Sequence, residues 1–308
     1  MLQKTKEDFK NGVISKPKFI DAMSKQHQLL FEYALLLQET DMSSIEIKSD
    51  GVLFTTKNDQ IKFFCRKADE RSAPFEILNF EEYESEDADL LYKLINNGDT
   101  IFDIGANIGW YSIVLSKKFP SSLIHSFEPI PATYESLVTN IALNNCSTVN
   151  SNNFGFSNEA KTLKFYTSPH TSVSSSSQNL TDDAQAIETS CEVVTLDSYE
   201  QDKKIRIDVI KCDVEGAELF VYQGGIQTIE KYKPIVFTEM LRKWSAKFGY
   251  HPNDIIALFT QQGYQCFYND GNHQLAVIKE ISESTTNTNF FFLHTEKHAP
   301  VISKFQSR

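Results

Sequence analysis

Long apolar runs are missing from this sequence. No window approaches the roughly 20 apolar residues that a helix needs to cross a bilayer, and the densest stretch, Leu29 to Leu37, is interrupted by Glu32. No membrane span is expected. The first 20 residues hold no uninterrupted apolar centre of the kind a secretion signal carries. Paired cysteines are missing too: Cys65, Cys146, Cys191, Cys212 and Cys266 are odd in number and show no C-x-x-C spacing. That argues against a zinc site and a disulfide framework, and predicts reduced thiols in a cytoplasmic protein. Basic residues are in deficit, 30 Lys+Arg against 41 Asp+Glu for a formal charge of −11. A general binder of phosphate backbones needs concentrated Lys and Arg, so nucleic acid is not an expected partner.

What is present is a globular composition: 308 residues, 41% hydrophobic, 23% charged, with 23 Phe and 12 Tyr for packing. Residues 1–45 read as helices, because Phe19, Met23, Leu29, Leu30, Tyr33, Leu36 and Leu37 recur at spacings of three and four. Residues 45–80 read as a hairpin or small sheet, and a helix over 85–95 stops at Asn97-Gly98. From residue 99 strands and helices alternate. Strands are predicted near 100–104, 123–128, 149–154, 162–165, 191–196, 207–212 and 235–238, helices over 110–118, 134–144 and 217–231, and closing antiparallel strands after 264. That alternation implies a mostly parallel sheet covered on both faces. Two units are expected: an N-terminal α+β extension over 1–80 and an α/β domain over 81–308.

The chemistry concentrates at two strand ends. Asp103-Ile104-Gly105-Ala106-Asn107-Ile108-Gly109-Trp110 sits where the first strand meets its helix. Gly105 and Gly109 permit close backbone approach to a ligand, and the helix start offers free N–H groups. The four-residue glycine spacing departs from the dinucleotide G-x-G-x-x-G. Nineteen residues past Gly109 the next strand ends in Phe127-Glu128-Pro129, where a carboxylate suits both hydroxyls of a ribose.

With Val194-Thr-Leu-Asp197, with Ile210-Lys-Cys-Asp213-Val-Glu215-Gly216-Ala217-Glu218, with Gly224-Gly225 and with Lys233-Pro234 through Glu239, these segments resemble the FkbM family of S-adenosylmethionine-dependent methyltransferases over residues 85–240. The resemblance implies a class I methyltransferase fold, a Rossmann-like seven-stranded sheet whose last strand is antiparallel, with S-adenosylmethionine across the carboxyl ends of the strands. It implies that Asp103, Gly105, Ala106, Asn107 and Gly109 surround the methionine and sulfonium part. Glu128 and Pro129 would hold the ribose, and Asn153, Gly155 and Phe156 stand where adenine contacts usually fall.

Asp213 and Glu239, at the ends of the fourth and fifth strands, are the candidate catalytic carboxylates, with His170 of a Ser-rich loop as a further base or lid residue. An alternative for Asp213 is to cap the helix that starts near Gly216. Glu215 and Tyr111 are candidate acceptor contacts. Nothing in the spacing requires a metal; were a divalent ion bound, Mg²⁺ or a similar hard ion between Asp213 and Glu239 is the expectation. The favoured function is methyl transfer to a hydroxyl of a small molecule or glycan, such as a polysaccharide sugar or a secondary metabolite. The extension would shape the acceptor site or mediate homodimerisation. Two rivals remain: an NAD-type oxidoreductase, against which the glycine spacing speaks, and a non-catalytic scaffold that kept the fold. A nucleic-acid methyltransferase is disfavoured because Asp213-Val-Glu-Gly stands where N/D-P-P-Y/F would be.

Overall fold

The computed structural model describes residues 1–67, 69–168, 176–180 and 185–307. Two helices come first, α1 (Leu2–Lys10) and α2 (Lys16–Glu39). Pro17 occupies the first turn of α2, where its missing N–H goes unmissed. An antiparallel meander follows, β1 (Met42–Lys48), β2 (Gly51–Thr56) and β3 (Lys62–Cys65). Met42 and Phe54 pack there against Ile77 and Leu78 of α3 (Ala73–Phe80), a helix the sequence pattern did not foresee. α4 (Ser85–Leu94) leads into the larger unit.

That unit begins β4 (Thr100–Ile104), α5 (Trp110–Lys118), β5 (Leu123–Phe127), α6 (Pro131–Leu143) and β6 (Val149–Asn152). After β7 (Gly155–Phe156), β8 (Lys161–Thr167) and β9 (Ile187–Val194) the chain runs through α7 (Leu196–Lys203), β10 (Val209–Cys212), α8 (Glu218–Gln223), α9 (Ile226–Tyr232) and β11 (Ile235–Glu239). It closes with α10 (Arg242–Lys247), α11 (Pro252–Gln261), β12 (Tyr264–Asn269), β13 (Leu275–Val277), β14 (Asn289–His294) and α12 (Ala299–Phe305).

The main sheet has the order β13-β12-β14-β11-β10-β4-β5-β6. Strands β11, β10, β4, β5 and β6 run parallel, and β14 is antiparallel to both β11 and β12. This is the Rossmann-like class I methyltransferase sheet, with β14 as its antiparallel strand and β13 as an eighth strand at the edge. Helices cover both faces, which is why β10 and the Phe290-Phe291-Phe292 run of β14 are buried on both sides. Two further features differ from expectation. The strands near 162–165 and 191–196 leave the main sheet and form a small sheet of order β7-β9-β8. The helix expected over 217–231 is two helices broken at Gly224-Gly225, because Gly224 presses on the Ser157 carbonyl so closely that a Cβ would stand 2.1 Å from it.

The N-terminal meander is fastened to the larger unit by two asparagines on one face of α6. Asn144 Oδ1 accepts from the Lys62 N–H at 2.8 Å while its Nδ2 donates to the Lys62 carbonyl at 2.7 Å. Asn140 Oδ1 accepts from the Phe64 N–H at 2.8 Å, and its Nδ2 donates to the Ile108 carbonyl in the loop before α5. Side-chain amides thus stand in for the missing neighbour strand of β3. Trp110 adds apolar contact, its ring stacked on Phe63. Replacing Asn140 by Ala leaves buried backbone groups unpaired, and such groups cost about 1–3 kcal/mol each. Asn140→Ala should therefore lower stability by roughly 2–4 kcal/mol in denaturant unfolding. Hydrogen exchange should show the β3 amides losing protection before those of β4.

Candidate active site

The carboxyl ends of β4, β5 and β10 open on a cleft that is in contact with solvent. Its floor is the turn after β4. Gly105 has φ +77°, and a Cβ there would lie 1.8 Å from the Asp213 carbonyl, so no other residue fits between β4 and the end of β10. Gly109 begins α5 at φ +97° and abuts Leu137. Asn107, also left-handed at φ +49°, is of the residue type that tolerates this region best after glycine. The N–H groups of Gly105, Ala106 and Asn107, ahead of the helix, are all engaged within the fold. Those of Gly105 and Ala106 both donate to the Phe127 carbonyl at 3.0 Å, and that of Asn107 donates to Glu128 at 3.1 Å. What the turn gives a ligand is closeness rather than donors.

Glu128, at the end of β5, is buried with one oxygen on the Asn107 N–H and the other on the Ile130 N–H. Burial pushes its carboxyl up to about 7, against the pull of those two donors. Asn153 Nδ2 donates to the carbonyls of Glu128 and Pro129, so it pins this strand end from behind. Gly155 and Phe156 are buried in the small sheet, with Phe156 against Phe127.

Gly105, Ala106, Asn107, Glu128 and Pro129 line the cleft, with Tyr111, Asp213 and Glu215. Asp103 sits beneath it, fully buried. Its Oδ2 accepts from Ser112, whose hydroxyl is 2.6 Å from that of Ser126, and its Oδ1 has no hydrogen-bond partner. Asp213 likewise has one oxygen, Oδ1, buried without a hydrogen bond, as has Asn107. Asp213 does not cap the following helix. Among the described residues no side chain caps that helix; Glu218, its first residue, braces the turn before it by accepting from the N–H groups of Val214 and Gly216 at 3.0 and 3.1 Å. Asp213, Glu215 and Glu239 bring carboxylate oxygens within 4.8 Å of one another. Burial, then the charges of Asp213 and Glu215, push the Glu239 carboxyl far above the usual range, so it keeps its proton at neutral pH. His170 lies outside the described residues. His125 is packed against Phe102, and His251 caps α11 in a capping box.

Residues 103–266 match the methyltransferase FkbM domain, just over half of the chain. The chain belongs to the FkbM methyltransferase family. It is 32% identical over 193 residues to methyltransferase sdnD of Sordaria araneosa, an alignment covering 53% of this chain and 73% of that one. It is 26% identical over 172 residues to the hexuronic acid methyltransferase AglP of Haloferax volcanii, covering 56% and 66% respectively. The crystal structure of an FkbM methyltransferase from Methylobacillus flagellatus superimposes with a TM-score of 0.42 at 15% identity, over 65% of this chain and 45% of that one. This chain thus spans less than half of that crystallised protein.

Three residues of this methyltransferase's cleft escaped the sequence reading. Lys211, on β10, is buried with its ammonium 3.5 Å from both Asp103 and Asp213, donating to the Gly105 carbonyl and lying over the Tyr111 ring. Burial disfavours its charge, but Asp213, Asp103 and Glu84 outweigh that and raise its pKa. The signal was present: a lysine inside the otherwise apolar run Val209-Ile-Lys-Cys must have a partner. Tyr83 reaches the cleft from the segment between α3 and α4, and Glu84 beside it accepts the Tyr111 hydroxyl hydrogen bond. Neither belongs to any readable motif.

Removing one partner of a buried ion pair costs about 3–5 kcal/mol, because it strands the other charge. Lys211→Met should cost about that much in chemical denaturation, and the double variant with Asp103→Asn should recover part of it. Glu128 and Glu218 both hold their protons to about pH 7, against 4.5 for an ordinary glutamate. The folded chain then binds more protons than the unfolded chain between those values. Their contribution to stability is complete below about pH 4.5 and is lost as the pH rises through about 7. Glu218→Gln should flatten the fall in melting temperature between pH 5 and 8.

Proposed function

We propose that the protein is an S-adenosylmethionine-dependent O-methyltransferase acting on a hydroxyl, with a sugar of a glycan or a glycosylated metabolite as the favoured acceptor. The observation that carries this reading is the pairing of a glycine turn at the end of β4 with a buried glutamate at the end of β5, beside carboxylates at the ends of β10 and β11. The donor set fits the cofactor: Glu128 at a ribose position, unpaired buried oxygens on Asn107 and Asp213, and an acidic surrounding suited to a sulfonium. The hexuronic acid specificity of AglP supports a sugar acceptor. The NAD reading loses its support with the family assignment.

When bound, S-adenosylmethionine supplies an electrophilic methyl group. Gly105 and Asn107 hold its amino-acid part close to the backbone, and Glu128 accepts from its ribose hydroxyls. Asp213, 3.5 Å from the Lys211 ammonium, orients the acceptor hydroxyl through its unpaired oxygen and takes the proton as the new bond forms. Glu239 keeps its own proton beside Asp213 and Glu215. Alignment supplies most of the acceleration, because the reaction is an in-line displacement. The same three carboxylates also form a set that hard divalent ions accept.

Isothermal titration with S-adenosylmethionine and S-adenosylhomocysteine tests the donor assignment. Micromolar binding is expected, weakened at least about tenfold in Glu128→Ala by loss of the hydrogen bonds to the ribose. Asp213→Asn should bind the donor within about threefold of the parent and lose about 10²–10⁴ in turnover once an acceptor is supplied. A folded protein that binds neither ligand would sink the enzyme reading.

A further inference from the structure

The longest helix of the chain has no fully buried face; one side is half covered, at Phe19, Ala22, Met23, Gln26, Leu36 and Leu37. None of the 24 residues of α2 is buried, although a helix this rich in leucine normally hides one side. Of the 16 large hydrophobic side chains exposed among the described residues, 10 lie in residues 1–35. On α2 they include Leu29, Leu30 and Tyr33, each about half exposed, together with Ile20, Phe31 and Leu35. α1 covers one end of the helix, with Phe9 stacked on Phe19, and Leu36 and Leu37 lean on the meander. The middle is left bare.

The charges beside that bare stretch follow a rule. Phe19, Gln26 and Tyr33 recur every seven residues, as do Ala22, Leu29 and Leu36, which makes a two-row seam of coiled-coil type. Flanking the seam at the same interval stand Lys18, Lys25, Glu32 and Glu39, two positive then two negative, all exposed. The row is self-complementary when reversed. With Gln26 level with Leu29 of an antiparallel copy, Lys25 meets Glu32 and Lys18 meets Glu39, twice each by symmetry. A parallel copy would set this row against Met23, Leu30 and Leu37 and form no ion pair.

We propose that α2 packs antiparallel against α2 of a second copy of this chain, the two α1–α2 hairpins closing a four-helix contact about a two-fold axis. Of the exposed set, Leu29 and Tyr33 stand in the seam and Leu30 beside it. Lipid is a poorer occupant, since helices that lie on membranes carry an excess of Lys and Arg, whereas this row is balanced. In the single chain Lys25 pairs with Asp21 of its own helix at 2.9 Å. Both are well exposed there, so this pair yields readily.

Sedimentation of the full chain at micromolar concentration, with two charge-reversed variants, tests the proposal. The parent should be a dimer. Lys18→Glu with Lys25→Glu makes the row wholly acidic, and Glu32→Lys with Glu39→Lys makes it wholly basic. Each variant alone should dissociate about tenfold or more readily, and an equimolar mixture of the two should recover the dimer. Recovery on mixing shows that both variants are folded and that the pairs are intermolecular. A monomeric parent, variants that dimerise as tightly as the parent, or a mixture that stays monomeric would each overturn the idea. So would a parent that floats with vesicles of phosphatidylcholine and phosphatidylglycerol instead of self-associating.

Discussion

A single buried ammonium group holds the catalytic end of this sheet together. Lys211 stands between Asp103 of β4 and Asp213 just past β10, and donates to the carbonyl of Gly105 in the turn that floors the cleft. Among the described residues it is the one basic side chain lining the cleft, where Asp213, Glu215 and Glu128 also face the interior. Without a cation there, carboxylates at this spacing would repel or take up protons. Glu239, farther from the ammonium and next to two acids, does keep its proton. The same lysine thus pairs with Asp103 and Asp213, while burial and neighbouring acids keep the proton on Glu239.

Around that centre the N-terminal segment is a wall of the site as well as an appendage. Ala73 of α3 and Tyr83 line the cleft, and Glu84 receives the Tyr111 hydroxyl at the start of α5. Trp110 lies between Phe63 and Tyr83 and so bridges the meander and the first helix of the sheet. Asn140 and Asn144 give β3 a partner for its open edge, a device that costs two polar side chains and closes the ladder without another strand. Both parts of the chain therefore contribute walls to the cleft. Among the described residues no helix is long and apolar enough to cross a membrane.

Much of this was readable beforehand. Periodicity located the helices over 85–94, 110–118 and 131–143 to within a few residues, and the glycine turn with Glu128 nineteen residues on marked the cleft. The misses have physical causes. Strands β8 and β9 look like any alternating strands, and only their pairing with each other and β7 removes them from the main sheet. Helix breakage at Gly224-Gly225 depends on the approach of Ser157, 67 residues earlier in the chain. Asp103 belongs to the motif, yet its carboxylate serves the network of Ser112, Ser126 and Lys211 beneath the floor.

The sequence by itself determined the local geometry: which glycines permit left-handed turns, which strands are apolar enough for a doubly covered sheet, and which acids end those strands. Such features depend on a residue's own conformational freedom and on near neighbours. Charge state and partnership were decided only by the tertiary structure. Lys211 is an ordinary lysine in the sequence; it becomes the hub because parallel β4 and β10 lie side by side in a register that pairs Lys211 with Asp103. Glu239 and Glu128 hold protons because burial and neighbouring acids act on them across the fold, and interactions of that kind fall off with distance in space and not along the chain.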